Sequence, residues 1–225
     1  MKKLLLLLCI GILALPVYSQ IGIIGGWKDF NADGWNAMSQ QDLGVDAYPM
    51  SGWQVGVDYW FRLKKRRIEF SPEVSFANFQ SDFEAGSIEH RQGTFQFNTD
   101  IYLFDLASDC HCPTFSKSGN FFSKGFFVEL SPGATLLSNR LNTIAPVEHT
   151  MEGTSFRFGG SVGAGLDLAF SDLFTITPLF RYYFYPKTGW DNEIVLANSQ
   201  VTLKQVFLGL RLRLHLKEFA NARYR

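Results

Sequence analysis

Long stretches of strictly alternating apolar and polar residues predict an all-β chain. The architecture they predict is an eight-stranded antiparallel up-and-down transmembrane β-barrel with a closed lumen. Three observations carry this reading: one parity of each stretch is oily and the other polar, the stretches number eight, and their connections alternate between long and short.

Residues 1–19 read as a signal peptide. Lys2-Lys3 precede an apolar run from Leu4 to Leu15, and Pro16-Val17-Tyr18-Ser19 supply the compact residues before a cut after Ser19. Cys9 lies inside the apolar run, too near the N-terminus for a lipoprotein cleavage site. Residues 20–225 are then the exported barrel domain, which keeps Cys110 and Cys112 and belongs outside the cytoplasm.

The first strand is short and Gly-rich, from Gln20 to about Trp27. In the second, Trp53, Val55, Val57, Tyr59, Phe61 and Leu63 oppose Gln54, Asp58 and Arg62. Ile68, Phe70, Val74 and Phe76 oppose Glu69, Ser71, Glu73 and Ser75 in the third; Phe95, Phe97, Ile101 and Leu103 oppose Gln96, Asn98, Asp100 and Tyr102 in the fourth. Phe126, Val128, Leu130 and Leu136 oppose Glu129, Ser131 and Thr135. The sixth strand, Ser155 to Phe170, sets Phe156, Phe158, Val162, Ala164, Leu166, Leu168 and Phe170 against Arg157, Gly159, Ser161, Gly163, Gly165 and Asp167. In the seventh, Phe174, Ile176, Phe180, Tyr182 and Phe184 oppose Thr175, Thr177, Arg181, Tyr183 and Tyr185. The last strand is the clearest: Val206, Leu208, Leu210, Leu212, Leu214 and Leu216 share one parity, and Gln205, Phe207, Gly209, Arg211, Arg213 and His215 the other. No helix gives that pattern.

Long connections are expected over about Lys28–Met50, Ser81–His90, Ser138–Thr154 and Lys187–Ser199, with short turns at Lys64–Arg67 and Ser171-Asp172. Long loops on one rim and short turns on the other are the outer-membrane arrangement. The turn over about 107–124 is the exception on the short side, and it holds both remaining cysteines.

Which parity faces inward is settled by volume. An eight-stranded barrel has room only for a packed filling or one small ligand, so the oily parity looks outward into lipid. Strands of this length also suit a tilted bilayer crossing better than a soluble sheet. The polar parity then places a charged network in the lumen: acids Asp58, Glu69, Glu73, Asp100, Glu129 and Asp167, with bases Arg62, Arg157, Arg181, Arg211 and Arg213. Near-neutrality is what confined, mutually paired charges require. A narrow barrel so filled is closed and is no porin.

Composition agrees. Among 225 residues are 22 Phe, 8 Tyr and 5 Trp with only 19% charged residues, which excludes a disordered chain. Past residue 20 no apolar run reaches the roughly 18 residues of a membrane helix. Lys+Arg and Asp+Glu are 21 each, and loss of Lys2 and Lys3 with the leader leaves 19 against 21, so nucleic acid is not an expected partner.

Several motifs admit two readings each. Asp29-Phe30-Asn31-Ala32-Asp33-Gly34 matches the opening of a calcium loop through Asp29, Asn31 and Asp33, but the twelfth position is Gln40 instead of a bidentate acid; solvated loop acids are the plainer reading. Cys110-His111-Cys112 offers two thiols and an imidazole for metal or redox chemistry, or a structural or docking turn. His90 and His149 are expected in loops on the outer rim, where a lipid-modifying barrel enzyme would hold its base. No spacing brings Ser87, Ser138 or Ser155 to either of them. His215 is expected as a polar lumen filler. Gly159-Gly160-Ser161-Val162-Gly163-Ala164-Gly165 lacks phosphate-loop spacing and makes room for bulky lumen neighbours, and Lys64-Lys65-Arg66-Arg67 reads as a solvated turn.

The leader ending Val17-Tyr18-Ser19 before Gln20-Ile21-Gly22, together with the eight alternating strands, resembles the outer-membrane β-barrel family typified by PorT in Bacteroidota. Residues Ser108-Asp109-Cys110-His111-Cys112-Pro113-Thr114-Phe115-Ser116-Lys117, leading into Phe126-Phe127, resemble a signature of a flavobacterial subgroup. The resemblance covers the whole mature length and implies an association with type IX secretion and gliding, with no catalytic residue to carry over.

The expected function is therefore a non-enzymatic structural or interaction role in the outer membrane of a Gram-negative-type bacterium, accessory to protein export or envelope organisation. An outer-leaflet lipid A hydrolase or acyltransferase and a calcium- or ligand-binding adhesion barrel are the alternatives. Expected partners are outer-membrane lipid and, through the 107–124 turn, periplasmic or envelope proteins; that turn could equally fold back as a plug. The barrel is expected to be monomeric and to need no cofactor.

Overall fold

A computed structural model of the protein describes residues 20–31, 36–37, 40, 50–63, 66–83, 86–104, 106, 125–143, 149–170, 174–188 and 201–215. The leader, Asp33 and the Cys110-His111-Cys112 turn lie outside the described residues, as do the side chains of His149 and His215.

Eight strands follow one another: β1 (Gln20–Asn31), β2 (Met50–Tyr59, continued past Trp60 by Phe61–Arg62), β3 (Ile68–Phe83), β4 (Gly86–Ile101), β5 (Phe126–Thr143), β6 (His149–Leu166, continued by Leu168–Ala169), β7 (Phe174–Thr188) and β8 (Val201–His215). Each pairs antiparallel with its neighbour in sequence, and β8 returns to β1 from Gln20↔His215 to Asn31↔Lys204. The sheet is closed, so no strand presents an open ladder along its whole length.

The register sets the barrel's shape. Followed through Gly22, Asp58, Glu73, Gln96, Gly133 and Gly159, then across β7 and β8, the pairing returns to β1 about ten residues further along. Eight strands with that stagger tilt by about 40° and enclose a radius of about 8 Å. Such a tube holds side chains and little else.

Through the middle of the barrel the parity is as the sequence predicts. Val57, Val74, Leu208 and Leu210 expose more than half their surface, while Ser71, Glu73, Asn98, Glu129, Thr177 and Arg211 are fully buried on the alternate positions. An exterior of exposed Ile, Val, Leu, Phe and Trp has the chemistry of a surface solvated by lipid. Trp27 and Trp53 pair across β1 and β2 at the edge of this apolar belt, and the Trp27 indole donates to Asp29 Oδ1 at 2.9 Å.

Toward the loop rim the parity inverts. On β3 to β6 the outward positions become Asn78, Arg91, Ser138 and Thr154, then Gln80, Glu89, Arg140 and Glu152, which stand side by side in the register. The inward positions become Ala77, Phe79, Ile88 and Leu137, all buried. Water now replaces lipid as the outer solvent, so the strands continue with the oily side turned in. This corrects the expected connections: strand occupies most of Ser81–His90 and of Ser138–Thr154, leaving only 84–85 and 144–148 outside the described residues. Likewise β1 runs on to Asn31, past the expected end near Trp27.

Apolar clusters close both ends. Near the loop rim the Phe30 ring lies 5.5 Å from Phe79 and 4.6 Å from His90, with Met50, Ile88, Leu137 and Leu203 in the same buried core. At the terminal rim Tyr102 packs 5.4 Å from Phe127, the Arg67 guanidinium lies 3.9 Å over the Tyr102 ring, and that of Arg213 lies 5.3 Å from the Trp60 ring.

Candidate functional site

Between these clusters lies a buried ionic network. Three arginines on the last two strands organise it. Arg181 holds Glu129 through Nε at 2.5 Å and Nη2 at 3.0 Å, and Glu73 through Nη2 at 2.8 Å. Arg211 reaches Asp100 Oδ2 at 3.0 Å and Glu129 Oε2 at 2.5 Å. Arg213 donates to Glu69 Oε2 at 3.1 Å, Asp100 Oδ2 at 3.0 Å and Ser71 Oγ at 2.6 Å. Glu129 therefore serves two guanidiniums and Asp100 another overlapping two, so the pairs form one connected net. Charge-assisted hydrogen bonds of this kind are about twice as strong as neutral ones.

Neutral groups satisfy several of the remaining oxygens, while Asp100 Oδ1 has no hydrogen bond among the described residues. Asn98 donates to Glu73 at 2.8 Å, Ser131 to Glu129 at 3.2 Å and Thr177 to Asp167 at 2.6 Å. Tyr102 donates a short hydrogen bond to Asp167 and lies 3.2 Å from Glu69 Oε2. Asp58 differs from the others. Its Oδ2 sits 3.1 Å from Arg211 Nε, yet among the described residues neither carboxylate oxygen has a hydrogen bond of acceptable angle, so its tie to Arg211 is Coulombic.

All six expected acids are thus buried in the lumen. Two of the five expected bases are not in the net. Arg62 is exposed at the terminal rim, at the end of β2 opposite Glu69 of β3, and Arg157 is half-buried and donates to the Phe156 carbonyl at 2.9 Å. Two other buried cations were hidden in expected loops. Lys28 bonds Gln92 Oε1 at 3.2 Å and sits 3.9 Å over the Tyr183 ring, and Arg67 caps Tyr102. Parity would have found both, since Lys28 alternates with Trp27 and Arg67 shares parity with Glu69 and Ser71. Of the expected solvated turn, Arg66 is exposed but Arg67 is buried.

Small residues on the inward parity of β6 make the space the network needs. A Cβ on Gly163 would meet the Phe180 carbonyl at 2.6 Å and Arg181 Cγ at 3.1 Å, and one on Gly159 would meet the Tyr185 ring at 2.5 Å.

The other candidates separate. His90 is not in a rim loop: it points into the lumen on β4, fully buried between Phe30 and Phe79. Its Nδ1 makes a short hydrogen bond to Asn139 Oδ1 and its Nε2 meets Gln92 Nε2 at 2.8 Å, so both ring nitrogens are occupied by amides. Ser155 is buried, and its hydroxyl has no hydrogen bond among the described residues. Asp29 and Asn31 lie in β1, with Asp29 Oδ1 accepting from Trp27 and from Ser51 Oγ at 3.0 Å. Among the described residues no three of His, Cys, Asp and Glu come together as metal ligands.

Comparison with known protein families and with characterised proteins finds no match. Among solved structures, the chain is similar to Neisserial surface protein A (NspA), at 10% identity over 87% of this chain and 96% of that one, with a TM-score of 0.47. It is also similar to Ail, the attachment invasion locus protein of Yersinia pestis (14% identity, 87% and 98% of the chains, TM-score 0.43), and to the outer membrane protease OmpT from Escherichia coli (6%, 87% and 96%, 0.42). These are likenesses of shape. The closed eight-stranded form of this chain rests on its own register.

Proposed function

We propose that this chain is a non-enzymatic outer-membrane β-barrel that acts through its rims and outer surface, in a structural or interaction role accessory to protein export or envelope organisation. One observation carries the reading. From Trp60 and Tyr102 at one end to Phe30 and Phe79 at the other, the lumen is filled by interlocked buried side chains. A barrel filled in this way offers partners its surface rather than its interior. His90, one of two histidines offered as a catalytic base, is sealed inside with both nitrogens occupied. The resemblance to PorT-like barrels supports the export direction, and orientation follows the alternation of connections, with the Gln20 and His215 rim on the periplasmic side.

In this reading partners dock on the periplasmic turn over about 107–124. Replacing Cys110 through Ser118 with an Asn-Gly turn should leave a barrel whose gel mobility still changes on boiling. Crosslinks to periplasmic or inner-membrane proteins in native membranes should disappear. Retention of every crosslink by the shortened protein would refute docking at this turn, and loss of the heat-modifiable band would assign the turn to the barrel's own stability.

A further inference from the structure

Chain order divides the lumen network. Its carboxylates come from β2 (Asp58), β3 (Glu69, Glu73), β4 (Asp100), β5 (Glu129) and the residue after Leu166 of β6 (Asp167), and its guanidiniums come from β7 (Arg181) and β8 (Arg211, Arg213). Each ion pair described in the lumen joins one set to the other. Two buried cations also belong to the earlier part of the chain: Lys28 bonds the Gln92 amide, and the Arg67 guanidinium lies over the Tyr102 ring.

This segregation has a consequence for closing the tube. An open sheet of β1 to β6 presents six carboxylates on one concave face against two of the described buried cations, Lys28 and Arg67. The excess carboxylates repel one another and cannot be dried without further counter-charge, since an unpaired buried carboxylate is strongly unfavourable. The face must stay hydrated. The β7–β8 hairpin brings three guanidiniums, each reaching carboxylates on strands that are not its neighbours: Arg181 spans to β3 and β5, and Arg211 spans to β2, β4 and β5. These contacts cross the lumen and exist only in the closed tube. Once they form, water can leave and the β8–β1 seam can zip.

We propose that the C-terminal hairpin β7–β8 is an electrostatic latch: pairing of its three arginines with the carboxylates of β2 to β5 drives the closure of the barrel at the β8–β1 seam. The latch acts on closure and not on the earlier hairpins, whose ladders form between sequence neighbours.

Two pairs of cysteines on the lipid-facing surface separate these events, in the mature chain carrying Cys110→Ser and Cys112→Ser. Val74→Cys with Phe95→Cys reports β3–β4 pairing, and Ile23→Cys with Leu212→Cys reports the β8–β1 seam. The chain is refolded from urea into phospholipid vesicles, and disulfide formation is sampled over time. Arg181→Gln, Arg211→Gln and Arg213→Gln together should slow the seam crosslink by about tenfold or more while leaving the β3–β4 crosslink within about twofold. Adding Glu73→Gln, Asp100→Asn and Glu129→Gln should restore most of the seam rate, because the counter-charges that made closure unfavourable are gone. Arginines that merely filled space would show no such recovery. The latch is refuted if the triple glutamine variant closes its seam at the wild-type rate, or if the six-substitution variant closes no faster than the triple one. A triple variant that never closes is decided by the same comparison.

Discussion

Glu129→Gln is the sharpest test of how much the network contributes to stability. The substitution keeps the volume and removes a carboxylate whose two oxygens tie it to two guanidiniums, through contacts of 2.5 and 3.0 Å to Arg181 and 2.5 Å to Arg211. The new amide also turns N–H groups toward guanidinium N–H groups. Removing one partner of a buried pair costs about 3–5 kcal/mol. Both arginines keep another acid, Glu73 at 2.8 Å and Asp100 at 3.0 Å, so the lower half of that range applies. About 3 kcal/mol is a little over a hundredfold in the unfolding equilibrium. Urea titration in phospholipid vesicles, followed by tryptophan fluorescence, should give a lower midpoint with an unchanged slope. Glu152→Gln supplies the control. Its contact to Arg140 is as short, 2.6 Å, but the side chains are 60% and 44% exposed, so the loss should stay below about 1 kcal/mol. Combining Glu129→Gln with Arg181→Gln should cost less than the sum of the two singles, by about 1–3 kcal/mol. A Glu129→Gln loss no larger than that of Glu152→Gln would refute the claim that these charges are dry and mutually dependent.

Other outcomes follow from the same geometry. Val74→Arg, in the apolar belt, should destabilise the barrel by about 2–4 kcal/mol in the same titration, whereas Ser138→Arg, beyond the inversion of parity, should change it by less than about 1 kcal/mol. Gly163→Val drives side-chain carbon into the Phe180 carbonyl and Arg181, and should destabilise the barrel by about 1–3 kcal/mol in that titration or abolish the heat-modifiable band. Planar bilayers containing the purified protein should show no steady ion conductance, and stable channels of uniform size would contradict a filled lumen.

The middle of the barrel was legible because one rule governs it. With lipid outside and confined charge inside, parity alone places Asp100, Glu129, Arg181, Arg211 and Arg213. The loop rim was illegible for the same reason. There the outer solvent changes, and the apolar positions of β3 pass from Val74 and Phe76 to Ala77 and Phe79. Read with a single phase, that shift looks like the end of a strand, which is how His90 came to be expected in a loop and Lys28 at the start of one. Arg62 illustrates a different limit. Its parity matches the lumen, but it lies at a rim where parity no longer decides exposure. Partner choice across the lumen has no local signal at all, since the joining of Arg211 to Asp58, Asp100 and Glu129 is set by barrel diameter and stagger.

The inversion of parity also limits which bilayers this protein fits. On β3 and β5 to β8 the apolar belt runs from residues such as Ile68, Phe126 and Phe174 to Phe76, Leu136 and Phe184. At the tilt set by the register, that is a hydrophobic height of about 20–25 Å. A hydrocarbon layer of about 30 Å overshoots it, so hydrophobic mismatch arises. Because β3 to β6 continue as strands beyond the belt, the mismatch falls on one side of the tube, where Arg91, Arg140, Glu89 and Glu152 would be drawn into hydrocarbon. Thin bilayers accept the protein upright, and thicker ones must pinch around that flank.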